Sequence, residues 1–450
     1  MSLNRIAIVA LVVVTAGQPA AQQSTTPQPP VLFDGVTYLP MDGETSTTVN
    51  RDRSVLVSNG LITQIGAAGA KIPEGGIRVD GRGKFLMPAL AEMHAHIPND
   101  PAEAERVLFM YVANGIGTIR SMLGDPSHFR LRERVRRGEI AGPAMILSGP
   151  SFNAQTASTP QAATSRVADQ VKAGYDFLKI HPGIPLTAFN ALAAAADQAA
   201  IRFAGHVPAD VGLRRALQLK FWTVDHLDGY VEALAGSGAP ASQNFGVNLM
   251  SHVDESRIAA LAADTKTAGV WNVPTQILLE NWYGPDSAET MQARPEMQYV
   301  RPAEAAQWMA TKRDNDRAVS AKDRARFIAV RRRVIKALQD AGAGLLLGSD
   351  APQVWNVPGF SIHRELASYV AAGLTPYQAL ATGTRNIAAH LGGSGPRFAV
   401  RDIDRANLVL LDANPLENIA NSSRIAGVMI GGRWIPKAEI DRRLSELRPR

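Results

Sequence analysis

Between residues 85 and 350 the chain alternates two textures. Apolar runs of strand length recur at Phe85–Met93, Gly117–Met122, Ala144–Ser148, Phe177–His181, Arg202–Val207, Trp222–Leu227, Val270–Ile277 and Gly344–Ser349. Helical stretches rich in Ala, Glu and Arg separate most of them, for example Ala188–Ala200 and Ile258–Ala268. A strand followed by a helix brings the next strand back parallel to the first, because the helix is the crossover. Eight such units predict an α/β chain with a (β/α)8 TIM-type barrel over residues 85–394. Residues 279–325, rich in Met, Trp and charge, break the alternation and are expected as a helical or looped insertion above the active face.

The flanks have a different pattern. Val31–Phe33 precedes Asp34-Gly35, and Ser54–Val57 precedes Asn59-Gly60 and then Leu61–Ile65. Asn-Gly between two apolar runs is a hairpin signal, since both residues accept a positive φ. Leu408–Leu411, Ile425–Ile430 and Gly431–Ile435 repeat this texture at the other end. Residues 31–84 and 395–450 therefore predict one small β-sandwich domain built from both chain ends, with the barrel inserted between them.

The first residues have another character. Arg5 precedes an apolar stretch, Ile6–Val14, too short to span a bilayer, and small residues follow from Ala16 to Ala21. Residues 1–21 are read as a signal peptide and 22–30 as a flexible linker. This gives an expected periplasmic or secreted location, with no stable membrane insertion once the signal is removed. A hydrophobic fraction of 46% with 20% charged residues places the rest among globular chains with a core large enough for two units. The net charge of +6 peaks at Arg324, Arg326, Arg331, Arg332, Arg333 and Lys336, interleaved with Phe327, Ile328, Val330, Val334, Ile335 and Leu338. That interleaving is the solvated face of an amphipathic helix, so no nucleic-acid partner is expected. The chain has no Cys, which excludes disulfides and thiol chemistry.

In a barrel of this type the chemistry gathers at the C-terminal ends of the strands. The first run ends in His94 and His96, whose i, i+2 spacing puts both imidazoles on one face of a strand. Lys179 lies in the apolar fourth run, His206 ends the fifth, His226 ends the sixth, and Asp350 ends the eighth. Imidazoles and a carboxylate are the donors that Zn2+ or a similar divalent ion prefers.

Taken together, the run Pro88–His96, Asp-Phe-x-Lys-Ile at Asp176–Ile180, Gly-His-Val-Pro at Gly205–Pro208, His-Leu-Asp-Gly-Tyr at His226–Tyr230 and Gly-Ser-Asp-Ala-Pro at Gly348–Pro352 resemble the amidohydrolase superfamily. The resemblance is to its two-metal imidazolonepropionase-like and prolidase-like branch. It spans nearly everything from Val31 to Trp434, including His363–Leu366, Leu374–Pro376 and Thr384–Asn386. It implies two divalent metal ions, Zn2+ foremost, with His94, His96 and Asp350 on the more buried ion and His206 and His226 on the more exposed one. It also implies that Lys179 is carbamylated and bridges both. The chemistry is consistent with this: two cations need an anion between them, burial favours the neutral amine, and a neutral amine takes up CO2 to become a carboxylate on a long stem.

The implied activity is hydrolysis of amide bonds in dipeptides, N-acyl amino acids or related carboxylated amides by a metal-bridging hydroxide, with Asp350 as proton shuttle. Tyr230 is a second catalytic candidate, as a donor to the carbonyl oxygen, and His181, Arg120 and His363 are the substrate-binding candidates. Gln276 and Trp282 are expected near the pocket. The partner expected is a small-molecule amide or peptide, and homo-oligomers are compatible with the resemblance. A mononuclear deaminase would carry a Glu soon after the fifth-strand His, whereas His206 is followed by Val207, Pro208 and Ala209. A lactonase or esterase on the same two-metal centre stays open. A non-catalytic metal-binding protein has no need for a bridging hydroxide and a proton acceptor.

Overall fold

The computed structural model describes residues 28–43, 49–392 and 406–449. The expected signal peptide, residues 22–27 of the linker and the 394/395 boundary lie outside the described residues. The N-terminal flank contributes β1 (Val31–Tyr38), β2 (Asn50–Ser58), β3 (Leu61–Ala67), β4 (Ile77–Asp80) and β5 (Phe85–Pro88). The middle contributes β6 (Leu90–Ala95), β7 (Ile116–Ser121), β8 (Ala144–Leu147), β9 (Leu178–Ile180), β10 (Phe203–Gly205), β11 (Thr223–Asp225) and β12 (Trp271–Val273). The C-terminal flank contributes β13 (Leu408–Leu411), β14 (Ile425–Ile430) and β15 (Arg433–Pro436).

Both flanks build one eight-stranded sheet, ordered β15-β14-β13-β5-β1-β2-β3 with β4 beside β1. The expected sandwich is thus, by its hydrogen bonding, a single continuous sheet. The Asn59-Gly60 signal holds: the two residues take φ of 52° and 75° and close the β2–β3 hairpin. The apolar run Phe85–Met93, read as one barrel strand, is two. β5 pairs with β1 and β13 in the flank sheet, and β6 starts the next sheet. Pro88, with no N–H to give a ladder, stands at the end of β5.

The period-2 rule explains why β13 is buried throughout. Leu408 and Leu410 point into an apolar layer with Val31, Phe33, Val55 and Leu86. Val409 and Leu411 point the other way, into the main core with Met87 and Val428. Burying a side chain of this size stabilises by ~1.5–3 kcal/mol, so β13 fastens the flank sheet to the rest of the molecule through both faces.

The middle strands are all parallel, in two sheets ordered β6-β7-β8 and β9-β10-β11-β12. Isolated parallel bridges at Ser148↔Phe177 and Phe152↔Ile180 join β8 and its following loop to the β9 region. Bridges at Asn272↔Leu345 and Ala95↔Ala351 set the segment 345–351 between β12 and β6. The expected eighth strand, Gly344–Ser349, makes the Leu345 bridge without forming a regular strand, and the second bridge falls just beyond it at Ala351. The run Val270–Ile277 stops at Val273, because Pro274 lacks an N–H, Thr275 turns with φ 44°, and the helix Gln276–Tyr283 takes over.

The insertion is helical, with helices at Ala288–Gln292 and Pro302–Ala318. Its Met291, Met297, Tyr299 and Trp308 pack against Trp355 and Val357, just beyond Asp350, in an apolar cluster of their own. The basic stretch is the helix Ala321–Asp340, capped by Ser320, and it buries Phe327, Val330, Val334, Ile335 and Leu338. Arg331 departs from the expected solvated face: it is buried among them. Among the described residues no helix is long and apolar enough to cross a membrane.

Candidate metal centre

The C-terminal ends of the parallel strands bring the predicted residues together. His96 Nε2 lies 2.7 Å from Asp350 Oδ1, and His94 Nε2 lies 3.5 Å from the same oxygen. His226 Nδ1 is 3.7 Å from Asp350 Oδ2. One ligand atom from each of His94, His226 and Asp350 falls within 4.8 Å of the others. The His206 ring stacks on His226 with centroids 4.4 Å apart, and His94 and His226 are 4.6 Å apart. Lys179, on β9 beside Ala204 of β10, is fully buried, and its Nζ has no hydrogen-bond partner among the described residues.

Three residues around the centre hold unusual backbone. His226, Asp350 and Thr275 take φ of 61°, 65° and 44°. The left-handed region costs a non-glycine residue ~1–3 kcal/mol, so the surroundings must enforce it. Backbone bonds do so: His226 N–H donates to Val273 O at 2.9 Å and Asp350 N–H to His94 O at 2.9 Å.

A second set of residues, which the sequence reading passed over, orients the imidazoles. Asp228 Oδ2 is 2.8 Å from His206 Nδ1, and Thr275 Oγ1 is 2.8 Å from His226 Nδ1. Asp225 Oδ2 lies 2.8 Å from His94 Nδ1, in ion-pair range but off the line of a straight hydrogen bond. Engaging Nδ1 in this way leaves Nε2 of each ring for a metal. Glu92 accepts from Ser349 Oγ at 2.6 Å, Ser349 N–H at 2.8 Å and His94 N–H at 3.0 Å, tying the two ligand segments together. Arg331 donates to the carbonyls of His226 at 2.7 Å and Pro274 at 3.0 Å. Asp225 and Asp228 flank His226 in Asp-His-Leu-Asp, and Glu92 sits two before His94, so these three had a local signal. Thr275 and Arg331 had none.

The electrostatics suit a cation site. Burial, before any neighbour, pushes the His94 and His226 imidazoles well below their usual range, which keeps them neutral and ready to donate a lone pair. Burial also lowers Lys179. It works to raise Asp350, but His94, His96 and Lys179 prevail and hold that carboxyl well below the usual range. Burial pushes Glu92 up to about 8. His226 Nε2 and Lys179 Nζ are both enclosed without hydrogen-bond partners among the described residues. Buried polar atoms that lack partners are uncommon, and here they sit beside a carboxylate and neutral imidazoles, so the residues fit divalent ions.

The residues expected to meet substrate divide. His181 is at the centre: its ring lies 5.3 Å from His206, and burial, then Lys179, His206 and His96, hold it down to about 3. Arg120 is fully buried, with its guanidinium on Met93 O at 2.8 Å, Thr223 Oγ1 at 2.9 Å and Asp225 at 3.4 Å. Its charge is directed at Asp225, and so at the mounting of His94, instead of at a substrate carboxylate. The Tyr230 hydroxyl is 2.9 Å from both Thr265 Oγ1 and Asn272 Oδ1, which ties the helix Tyr230–Ala235 to its neighbours. His363 Nδ1 meets Ser422 Oγ at 3.0 Å, at the contact between the helix Phe360–Ala371 and the C-terminal flank. Gln276 accepts from Arg331 at 3.0 Å. Trp282 packs on Phe245, with centroids 5.6 Å apart, and Phe245 lies 5.8 Å from the His226 ring.

The sequence pattern described as the Amidohydrolase family matches residues 85–435. None of the curated protein sequences compared with the chain matches it. Among solved structures, a bottromycin amidohydrolase is similar with TM-score 0.71 and 23% identity, over 92% of this chain and 90% of that one. A candidate prolidase from Bifidobacterium longum is similar with TM-score 0.65 and 21% identity, over 94% and 100% of the two chains. A Xaa-Pro dipeptidase with methionine bound in its active site is similar with TM-score 0.64 and 16% identity, over 90% and 100%. At these identities the likeness is one of fold.

Proposed function

The chain belongs to the amidohydrolase family, and from that premise we propose that it hydrolyses amide bonds in small molecules, such as dipeptides and N-acyl amino acids, with the help of divalent metal ions. The observation that carries the proposal is the convergence of His94, His226 and Asp350 beside the unpartnered Lys179 amine. In this reading the two parallel sheets and the segment 345–351 are the staves of one barrel, with the isolated bridges as its seams. His94, His96, His206, His226 and Asp350 would hold the ions, together with Lys179 once its Nζ has bonded to CO2 and released a proton to become a carboxylate. Bound there, the ions would polarise the substrate carbonyl and lower the pKa of water.

The chain's own residues do the rest. Asp350 accepts the proton of the attacking water, through the oxygen not engaged by His96, and delivers it to the leaving nitrogen. His181 stands beside His206 at the rim and meets the substrate. The similar structures described as an amidohydrolase, a candidate prolidase and a Xaa-Pro dipeptidase support an amide-bond substrate. The signal-like residues 1–21 add a periplasmic or secreted location to the proposal. N-terminal sequencing of the exported protein would check that part.

The test combines metal analysis by mass spectrometry with a screen of the zinc-loaded protein against dipeptides, N-acyl amino acids, lactones and phosphotriesters. The expected result is about two ions per chain, turnover of amides, and loss of turnover in Asp350→Asn with the fold intact. A zinc-loaded protein that binds its metal but turns over only lactones or phosphotriesters would overturn the amide reading.

A further inference from the structure

Phe245 is an aromatic residue in a conformation that aromatic residues avoid. It takes φ 62°, between Asn244 at 50° and Gly246 at 84°, so three consecutive residues are left-handed. A bulky side chain held at positive φ is strained, and such strain persists only where the surroundings impose it, most often at functional sites. Here it sets the Phe245 ring edge-on to the metal-ligand candidate His226, at 5.8 Å, and against Trp282, at 5.6 Å. Both rings stay partly exposed. Trp282 Nε1 is enclosed, with no hydrogen-bond partner among the described residues. A buried indole N–H normally has one.

The same edge of the molecule carries more apolar surface. Of the four large apolar side chains that are freely exposed among the described residues, Leu123 at 44% follows β7 and Leu186 at 40% follows β9. Both are in loops or helix starts at the C-terminal ends of parallel strands, where the histidines also lie. Arg120, the cation expected to meet a substrate carboxylate, is used internally. The edge is therefore better suited to apolar bulk than to a second charge.

We propose that Phe245 and Trp282 form a specificity subsite, beside the His206–His226 side of the centre, for an aromatic or large aliphatic group of the substrate. This rests on the amide-hydrolase reading and narrows it to amides with an apolar flank, such as N-acyl derivatives of Phe or Leu. Flat rings packed on a flat apolar wall gain from area and from edge-to-face geometry.

The test compares kcat/KM of the zinc-loaded protein for N-acetyl-Phe and N-acetyl-Leu with that for N-acetyl-Gly and N-acetyl-Asp. The ratio between two substrates does not depend on how much of a variant is folded, so unstable variants remain informative. The wild-type protein should favour the apolar pair by at least about tenfold. Phe245→Ala and Trp282→Ala should each cut that preference severalfold, read as the ratio of kcat/KM for the apolar pair to that for the glycyl substrate. Turnover of all four with no apolar preference, or a preference that survives both alanine variants, overturns the subsite while leaving the hydrolase reading intact. Failure to turn over any amide in the wider screen overturns the amide-hydrolase reading itself.

Discussion

Replacing Gly205 by alanine tests the seat of Lys179 without touching a ligand. Gly205 lies on β10, paired with Ile180 of β9, one residue after the Ala204↔Lys179 pair. A Cβ at Gly205 would stand 2.5 Å from the Ile180 carbonyl oxygen, 3.0 Å from Lys179 Cδ and 3.2 Å from Lys179 Cε. Unstrained carbon contacts rest at ~3.5–4.0 Å, so the methyl overlaps backbone on one side and the lysine stem on the other. Relief requires parting two paired strands or displacing Lys179. Overpacking of this kind costs ~1–3 kcal/mol, and the φ of 123° adds ~1–3 kcal/mol for any L side chain.

Gly174 provides the matched control: its φ is 83° and nothing lies within 4 Å of where its Cβ would be, so Gly174→Ala carries the backbone term alone. In denaturant unfolding of the metal-loaded proteins, Gly205→Ala should lose ~1–3 kcal/mol more than Gly174→Ala, and its metal content should fall while the control keeps its metal. Equal stabilities together with full metal content in both variants would refute the argument that Lys179 is wedged against Gly205.

Other expectations can be checked in the same way. Asp225→Asn removes the carboxylate between His94 and the buried Arg120, and the stranded guanidinium should cost ~3–5 kcal/mol in thermal unfolding. Zinc affinity should drop ~10–100-fold as His94 loses its mount, as read by competition with a chelating dye. Tyr230→Phe deletes a hydroxyl shared by Thr265 and Asn272 and should destabilise by ~1–3 kcal/mol with kcat/KM unchanged. A large fall in kcat at full stability would instead restore Tyr230 to the chemistry. Burial, aided by Arg364, holds His363 down to about 4, whereas an unfolded histidine titrates near 6.5. Between those values the unfolded chain binds a proton that the folded chain refuses. The contribution of His363 is thus intact above pH 6.5 and is lost as pH falls toward 4, at up to ~1.4 kcal/mol per pH unit. His363→Gln should flatten that part of a melting-temperature profile, and an unchanged slope would show that His363 is not buried neutral.

The metal-ligand candidates were legible because parallel strands impose an order. An apolar run followed by His or Asp repeats along the chain, and the strands' common direction then brings His94, His206, His226 and Asp350 to one edge. What the sequence could not separate were side chains that look alike locally. Lys179 and Arg120 are both cations in apolar strand runs, yet one is left unpaired at the centre while the other is consumed by Met93, Thr223 and Asp225. Nothing within a few residues of Arg120 announces those partners, which lie 27 to 105 positions away. Arg331 fails for the same reason: helical spacing assigns it to water, and the carbonyls of His226 and Pro274 claim it. The boundary between β5 and β6 was hidden because both are buried, in different sheets, so hydrophobicity runs on through Pro88 without a break.

The pairing of β5 with β13 also sets an order in time. Leu86 meets Leu410, and everything between them in the sequence is made before that pair can form. As the chain is synthesised, β1 to β5 appear first with the edge of β5 open and the apolar layer of Phe33 and Leu86 missing its cover from Leu408 and Leu410. The parallel strands that carry the histidines must then form while their neighbouring sheet is still incomplete. A chain cut short before Leu408 would therefore lose more than its tail: it would leave an unpaired strand edge and a bare apolar face, the two features that most readily drive one chain to stick to another.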